Sequence, residues 1–159
     1  MHAEVTMTAF LKNPRNLVIL ALILSALGAI LVLTTPFGGM TVSTYYGLRD
    51  RFASLGSEYS ESLDNVFIVL LTFCMLATAL VSFVALRLAP LNQGKVIRTA
   101  RMLAFLTLGL AVMGGIAYEI TRANIGYVEW WFDTGFYAAL VVGLVNSILF
   151  SVVLRRAPV

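Results

Sequence analysis

Very few side chains in this sequence could do covalent or acid–base chemistry. There is one histidine, His2, and one cysteine, Cys74. A haem ligated by two histidines inside a helical bundle therefore has no ligands, and a self-contained dithiol relay lacks its second thiol. Cys74 lies in an apolar run, where a lone thiol is a small packing residue. The other candidates are seven of the eight acidic residues, Asp50, Glu58, Glu61, Asp64, Glu119, Glu129 and Asp133, Glu4 standing apart near the N-terminus. Such oxygens could hold a hard cation such as calcium. They are spread over two separate segments without EF-hand spacing, so a solvated acidic face is the simpler reading. Glu119 and Arg122, three apart near a helix end, are expected to pair locally. No phosphate-cradling glycine loop, zincin helix or nucleophile elbow occurs. Neither a cofactor, a metal centre nor catalysis is expected.

The residues left to carry a function are suited to contact rather than reaction. Tyr127, Trp130, Trp131 and Phe132 cluster in one polar segment, and Tyr45 and Tyr46 stand in another. Aromatic residues at such places form belts at a membrane–water interface, and Trp and Tyr also dominate protein interface hot spots. Both uses are compatible.

The elements that must position these residues are membrane spans. Of the 159 residues, 60% are hydrophobic and 12% charged, where a soluble domain has about 45–50% and about 25%. Such a chain cannot cover its apolar surface in water, so the bilayer is its expected solvent. Four long apolar runs occupy approximately 17–35, 66–87, 102–120 and 135–154. The first spans roughly 28 Å as a helix, near the ~30 Å hydrocarbon thickness. It is longer than a signal-peptide core and is followed by Thr34-Thr35-Pro36-Phe37, a poor cleavage site, so it is read as retained. The expected fold is an all-α integral membrane protein, one domain over 1–159 built as a four-transmembrane-helix bundle.

Between the spans lie three polar segments. Residues 88–101 read as a basic turn, broken by Pro90 and Gly94 and carrying Lys95, Arg98 and Arg101. Residues 36–65 form a long loop and 121–134 a shorter one. In the long loop, Met40 to Tyr46 permits a short strand. Leu48, Phe52, Leu55 and Tyr59 recur at helical spacing, which predicts an amphipathic interfacial helix beyond Gly47. Ser62 and Asp64 supply capping oxygen and negative charge before the second span.

Orientation follows from Lys and Arg alone. Lys12, Arg15, Arg87, Lys95, Arg98, Arg101, Arg155 and Arg156 share one side, and Arg49, Arg51 and Arg122 the other. Both termini and the basic turn are therefore expected in the cytoplasm, and the two loops outside. The net charge of +3 reflects this asymmetry and does not imply nucleic acid as a partner. The basic turn could attract anionic lipid by about 1 kcal/mol per residue.

Helices in lipid associate through close packing of small residues, and each run carries a row of them at four-residue spacing. The rows are Ala21, Ser25, Ala29; Cys74, Thr78, Ser82; Thr107, Ala111, Gly115; and Ala139, Gly143, Ser147, Ser151. Each lies along one helix face, so a bundle with small faces inward and bulky faces to lipid is expected. Gly114-Gly115 reads as a close-approach point, and Asn146 as the donor or acceptor of an interhelical hydrogen bond.

Four spans with a long first loop and a short second one resemble the claudin and peripheral-myelin-protein tetraspan superfamily. Within the first loop, Tyr45-Tyr46-Gly47-Leu48 is similar to part of that superfamily's W-GLW-C-C signature, with Gly47-Leu48 at the Gly-Leu step. Arg49 stands where the signature has tryptophan, and the paired loop cysteines are absent, so a disulfide-locked outer sheet of that type is not expected. The resemblance implies lateral assembly or cell-contact work through the outer loops. The leading expectation is a non-catalytic multi-pass protein of the cell membrane, acting as scaffold, adhesion element or accessory subunit. Its partners would be the lipid bilayer and other membrane subunits or further copies of itself. The alternatives are a small transporter or channel component, or a quinone- or lipid-binding subunit whose chemistry resides in a partner.

Overall fold

The computed structural model describes residues 13–88, 90–125 and 129–156, and of residues 90–92 and 125 the backbone. The elements, in chain order, are α1 (Pro14–Thr34), β1 (Gly38–Thr44), β2 (Gly47–Ala53), α2 (Ser62–Arg87), α3 (Pro90–Ile125), β3 (Glu129–Phe132) and α4 (Thr134–Arg156). The four helices are each long and apolar enough to cross a membrane. They pack in a ring in which α1 touches α2 and α4, and α3 touches the same two. The chain passes up and down this ring and leaves all three strands at one end.

Local chemistry sets the helix limits. Asn13 caps α1, its Oδ1 accepting the Arg15 N–H at 3.0 Å, and Pro14 takes the first position, where its missing N–H costs nothing. At the other end the hydroxyls of Thr34 and Thr35 donate back to the carbonyls of Ile30 and Leu31, at 2.7 and 2.6 Å. α2 begins earlier than its apolar run, and its N-cap is Glu61 rather than Ser62. The Glu61 N–H donates to Asp64 Oδ2 at 3.0 Å.

Two expectations about the connections are corrected. The basic segment 88–101 is helix from Pro90 onward. Proline at a helix start is permissive, and one interior glycine costs only about 1 kcal/mol, so Pro90 opens the helix and Gly94 does not interrupt it. The helix also continues past residue 120 to Ile125. With 36 residues, α3 is roughly 54 Å long. It projects beyond the apolar zone at both ends, carrying Lys95, Arg98 and Arg101 at one and Arg122 at the other.

The interfacial helix expected beyond Gly47 is a strand. β2 pairs with β1 in an antiparallel hairpin from Thr44↔Gly47 to Gly38↔Ala53. Leu48 and Phe52 satisfy a period of two as well as a period of four, and the Thr- and Val-bearing β1 lies close enough to pair. Tertiary pairing therefore outweighed the helical pattern. β3 adds to the other side of β1, giving the order β2-β1-β3.

The bundle core is layered. At the sheet end a cluster gathers Ala29, Val32, Phe37, Met40, Ile68, Leu71, Met75, Tyr118, Phe136 and their neighbours. At the opposite end a second holds Leu17, Val18, Ala21, Ala85, Ile97, Ala100, Ala104, Phe150 and Val153. In every helix buried polar residues lie between the two clusters: Ser25, Thr78, Ser82, Thr107, Asn146 and Ser147. The hydroxyls of Thr78, Ser82, Thr107 and Ser147 donate to their own helix one turn back. Asn146 Nδ2 instead crosses the bundle and donates to Ser25 Oγ at 2.8 Å.

The small-residue rows sit on buried faces; of all their members only Ser151 is partly exposed. Large side chains such as Ile23, Leu27, Phe73, Leu80, Met102, Met113 and Ile148 point away from the bundle. A Cβ on Gly143 would lie 2.8 Å from the Leu108 backbone nitrogen, and one on Gly115 would lie 2.6 Å from the Phe136 ring. Because its obstacle is backbone, Gly143 tolerates no side chain without separating α3 from α4. Gly143→Val should cost about 1–3 kcal/mol by overpacking, seen as a lowered unfolding midpoint in detergent. Ile148→Val on the exposed face of the same helix should leave the midpoint unchanged.

Candidate interaction site

The site is the sheet end, and it is built on two adjacent glycines. β1 leaves α1 through Pro36 and Phe37, and this short stretch ties three segments together. Phe37 N–H donates to Ala53 O at 2.8 Å, Asp133 N–H to Phe37 O at 3.1 Å, and Gly135 N–H to Pro36 O at 2.9 Å. The Phe37 ring is fully buried and meets Tyr118 and Phe136 edge-on at 6.2 and 5.6 Å.

Gly38 and Gly39 then pass between two aromatic rings. A Cβ on Gly38 would stand 2.5 Å from Tyr118 Cζ, and one on Gly39 would stand 2.4 Å from Trp131 Cε2. Without side chains, the backbone comes close enough for Tyr118 Oη to donate to Gly39 O at 2.9 Å. The covering of a strand glycine by a cross-strand aromatic is a known way of closing the gap it leaves.

Register assigns the remaining strand residues to two faces. One row holds Gly38, Ala53 and Phe132, and the next on that face holds Met40, Arg51 and Trp130. This face covers the bundle: Met40 and Ala53 are fully buried, and Trp130, Phe132 and Val42 pack on the same cluster. The other face carries Gly39, Phe52 and Trp131, then Thr41, Asp50 and Glu129. Phe52 and Trp131 meet edge-on at 6.3 Å, and Thr41 Oγ1 donates to Asp50 Oδ1 at 3.0 Å.

Beneath the covering face lies a buried guanidinium. Arg122, on the last turn of α3, has no exposed side-chain surface. Instead of pairing along its own helix with Glu119, it crosses to α2. Its Nη2 donates to Asp64 Oδ2 and, at 3.2 Å, to Tyr59 O. Its Nη1 lies 3.6 Å from Glu61 Oε1, and its carbon lies 4.7 Å from the Tyr118 ring centre. Arg51 of β2 stacks over Tyr59 at 4.8 Å. The expected local pair is thus corrected: a fully buried cation needs a carboxylate that is also withdrawn from water, and Asp64 is buried whereas Glu119 is exposed.

The aromatic residues singled out from sequence are therefore divided. Trp130, Trp131 and Phe132 belong to β3 and are half-buried in the sheet, with Phe132 stacked on Phe136 at 4.1 Å. Tyr127 lies outside the described residues, as do His2, Glu4 and Lys12. Tyr45 and Tyr46 form the hairpin tip and are 97% and 84% exposed. Their rings meet edge-on at 5.4 Å. Neither takes a left-handed backbone; Gly47, with φ +109°, absorbs the reversal as glycine readily can. Thr44 Oγ1 donates to Gly47 O at 2.7 Å and closes the turn.

Sequence reasoning missed three parts of this site. They are the Phe37-Gly38-Gly39 step before a strand, Tyr118 and the Arg122–Asp64 pair, of which the first and the last had a signal. The signals were a glycine pair opening a Thr/Val run and one arginine set among carboxylates. None of the three names its partner in sequence.

Chemically, the arrangement joins a buried ion pair to an aromatic-lined strand root and presents two exposed tyrosines at the hairpin tip. Among the described residues no three His, Cys, Asp or Glu side chains converge to hold a metal. Breaking a buried ion pair from one side costs about 3–5 kcal/mol, because the other charge is stranded. Arg122→Met and Asp64→Asn should each lower the unfolding midpoint in detergent strongly, and the double variant should lose less than the sum of the two. Additive losses would show that the two groups are not coupled. No family model, curated protein or solved structure matches this chain, so a functional reading has to come from the chemistry of this end of the molecule.

Proposed function

We propose that this chain is a non-catalytic multi-pass membrane protein that works as a scaffold, adhesion element or accessory subunit. In this reading both termini are cytoplasmic, and the sheet stands on the outer side and makes protein–protein contacts. The observation that carries the reading is the hairpin tip. Tyr45 and Tyr46 are almost wholly exposed, yet they are mounted on a strand whose root is fixed by buried aromatic rings and an ion pair. Exposed aromatics on a rigid support lose little entropy on binding, which is what a contact hot spot requires.

The surface around the tip supports the same reading. Leu48 is exposed beside it, with Phe52 further along β2, and Arg49, Asp50 and Glu129 place charges of both signs around these apolar groups. β2 is an edge strand, but its sequence opposes pairing with its own copy. An antiparallel match centred on Asp50 would set Asp50 against Asp50 and Arg49 against Arg51, and like charges across strands are destabilising. Contact through side chains at the tip is favoured over extension of the sheet. The claudin and peripheral-myelin-protein resemblance points the same way, with a sheet that needs no loop disulfide.

The test is the mass of the intact particle after gentle extraction, for the wild type and for Tyr45→Ala/Tyr46→Ala. The wild-type particle should exceed one 17.3 kDa chain with its lipid and detergent. The double variant should fall towards a single chain while keeping its unfolding midpoint. A wild-type particle containing one chain and no partner, or a variant particle of undiminished size, would overturn the proposal.

A further inference from the structure

At the end of the bundle away from the sheet, a cavity of about 190 Å³ opens between the helices. It is lined by Pro14, Arg15 and Val18 of α1, Ala85 and Leu86 of α2, and Gln93 and Ile97 of α3, with Leu88 and Val153 completing it. Its lining has two chemistries. Val18, Ala85, Ile97 and Val153 are buried apolar residues and form a floor. Arg15 and Gln93 supply the polar side chains.

These two polar groups are not equivalent. Gln93 Nε2 is occupied, donating to Ala85 O at 3.0 Å and Leu88 O at 3.3 Å, where α2 ends. It thereby shields the cavity from carbonyls that would repel an anion. The Arg15 guanidinium is exposed and has no carboxylate within 4 Å among the described residues. At this end the described residues include Arg15, Arg87, Lys95, Arg98, Arg101, Arg155 and Arg156 and no Asp or Glu, all seven described carboxylates lying at the sheet end.

We infer that this cavity is a binding site for an anionic phospholipid. The phosphate would sit against Arg15, and the glycerol and first methylenes would lie on the apolar floor. A volume of 190 Å³ corresponds to about six waters, enough for that part of a lipid and far too little for a whole one. Both halves of the cavity favour a lipid over free phosphate, because an inorganic anion has no use for an apolar floor. The site also lies at the depth where headgroups are found, at the ends of four helices long enough to span a bilayer. Basic pockets between membrane helices bind such headgroups. This inference depends on the membrane-spanning bundle and not on the partner reading of the hairpin tip.

The experiment uses the full chain in detergent, supplied with an equimolar mixture of phosphatidylglycerol and phosphatidylcholine, with retained lipid measured by native mass spectrometry. Phosphatidylglycerol should be retained in preference by about fivefold or more, the weight of one basic residue near a lipid surface. Arg15→Gln should abolish most of that preference. Arg98→Gln, which removes the same charge from an exposed position outside the cavity, should keep it. No preference in the wild type, or a preference that survives Arg15→Gln, would overturn the site. An equal loss in both variants would also overturn it, since it would mean diffuse attraction by the basic end. Displacement of the lipid by millimolar inorganic phosphate would overturn the lipid assignment in favour of a free anion.

Discussion

A guanidinium withdrawn from water at the end of a helical bundle is the constraint around which the sheet end is organised. Arg122 could not be buried alone, since the desolvation of an unpaired ion amounts to several kcal/mol. It is buried because Asp64 meets it from the first turn of α2, with the Tyr59 carbonyl accepting a second hydrogen bond and the Tyr118 ring packed against its face. A pair like this adds little net stability over a well-packed apolar substitute. Its effect is on register. α2 and α3 can slide past each other only by separating the two charges, and Tyr59, which accepts from Arg122 and receives Arg51, is carried along with them. The sheet is coupled to this ion pair through Tyr59, whose carbonyl accepts from Arg122 and whose ring lies under Arg51 of β2.

The sheet itself is held without covalent help. The only cysteine is Cys74, free and buried within α2. In place of a cross-link, two glycines reduce the thickness of β1 so that Tyr118 and Trp131 close on it from opposite faces. Three backbone hydrogen bonds around Phe37 join the strand ends to the start of α4. A hairpin alone is marginal, and a third strand with packing against a helix stabilises it; here β3 and the rings of Phe37, Phe132 and Phe136 supply both. The hairpin tip can therefore be polar-poor and exposed without dragging its base out of place.

The bundle follows the rules of association in lipid. Small residues face inward and let the backbones approach, as at Gly143 against Leu108. The buried hydroxyls satisfy themselves within their own helices, which leaves the Asn146–Ser25 hydrogen bond as the side-chain link across the polar layer. Such a bond is worth about 1–2 kcal/mol at most. Shape, more than polarity, must keep the middle of the bundle together, and the Asn146–Ser25 bond sets the level at which α1 and α4 meet.

How much of this was legible in the sequence depends on the reach of each interaction. By itself the sequence determined the four apolar helices, the gathering of most carboxylates at one end and most cations at the other, and the small-residue row on each helix. Hydropathy, charge and helical period are properties of neighbouring residues, and no distant partner is needed to read them. It could not determine whether Leu48 and Phe52 belong to a helix or a strand, since their spacing suits both and only pairing with β1 decides. Nor could it show that Pro90 starts a helix, or that Trp130 and Trp131 lie in a strand. Arg122 meets Asp64 across 58 positions, Tyr118 meets Gly39 across 79, and Asn146 meets Ser25 across 121. Those contacts exist because the bundle brings its ends together, so only the tertiary structure could choose the partners.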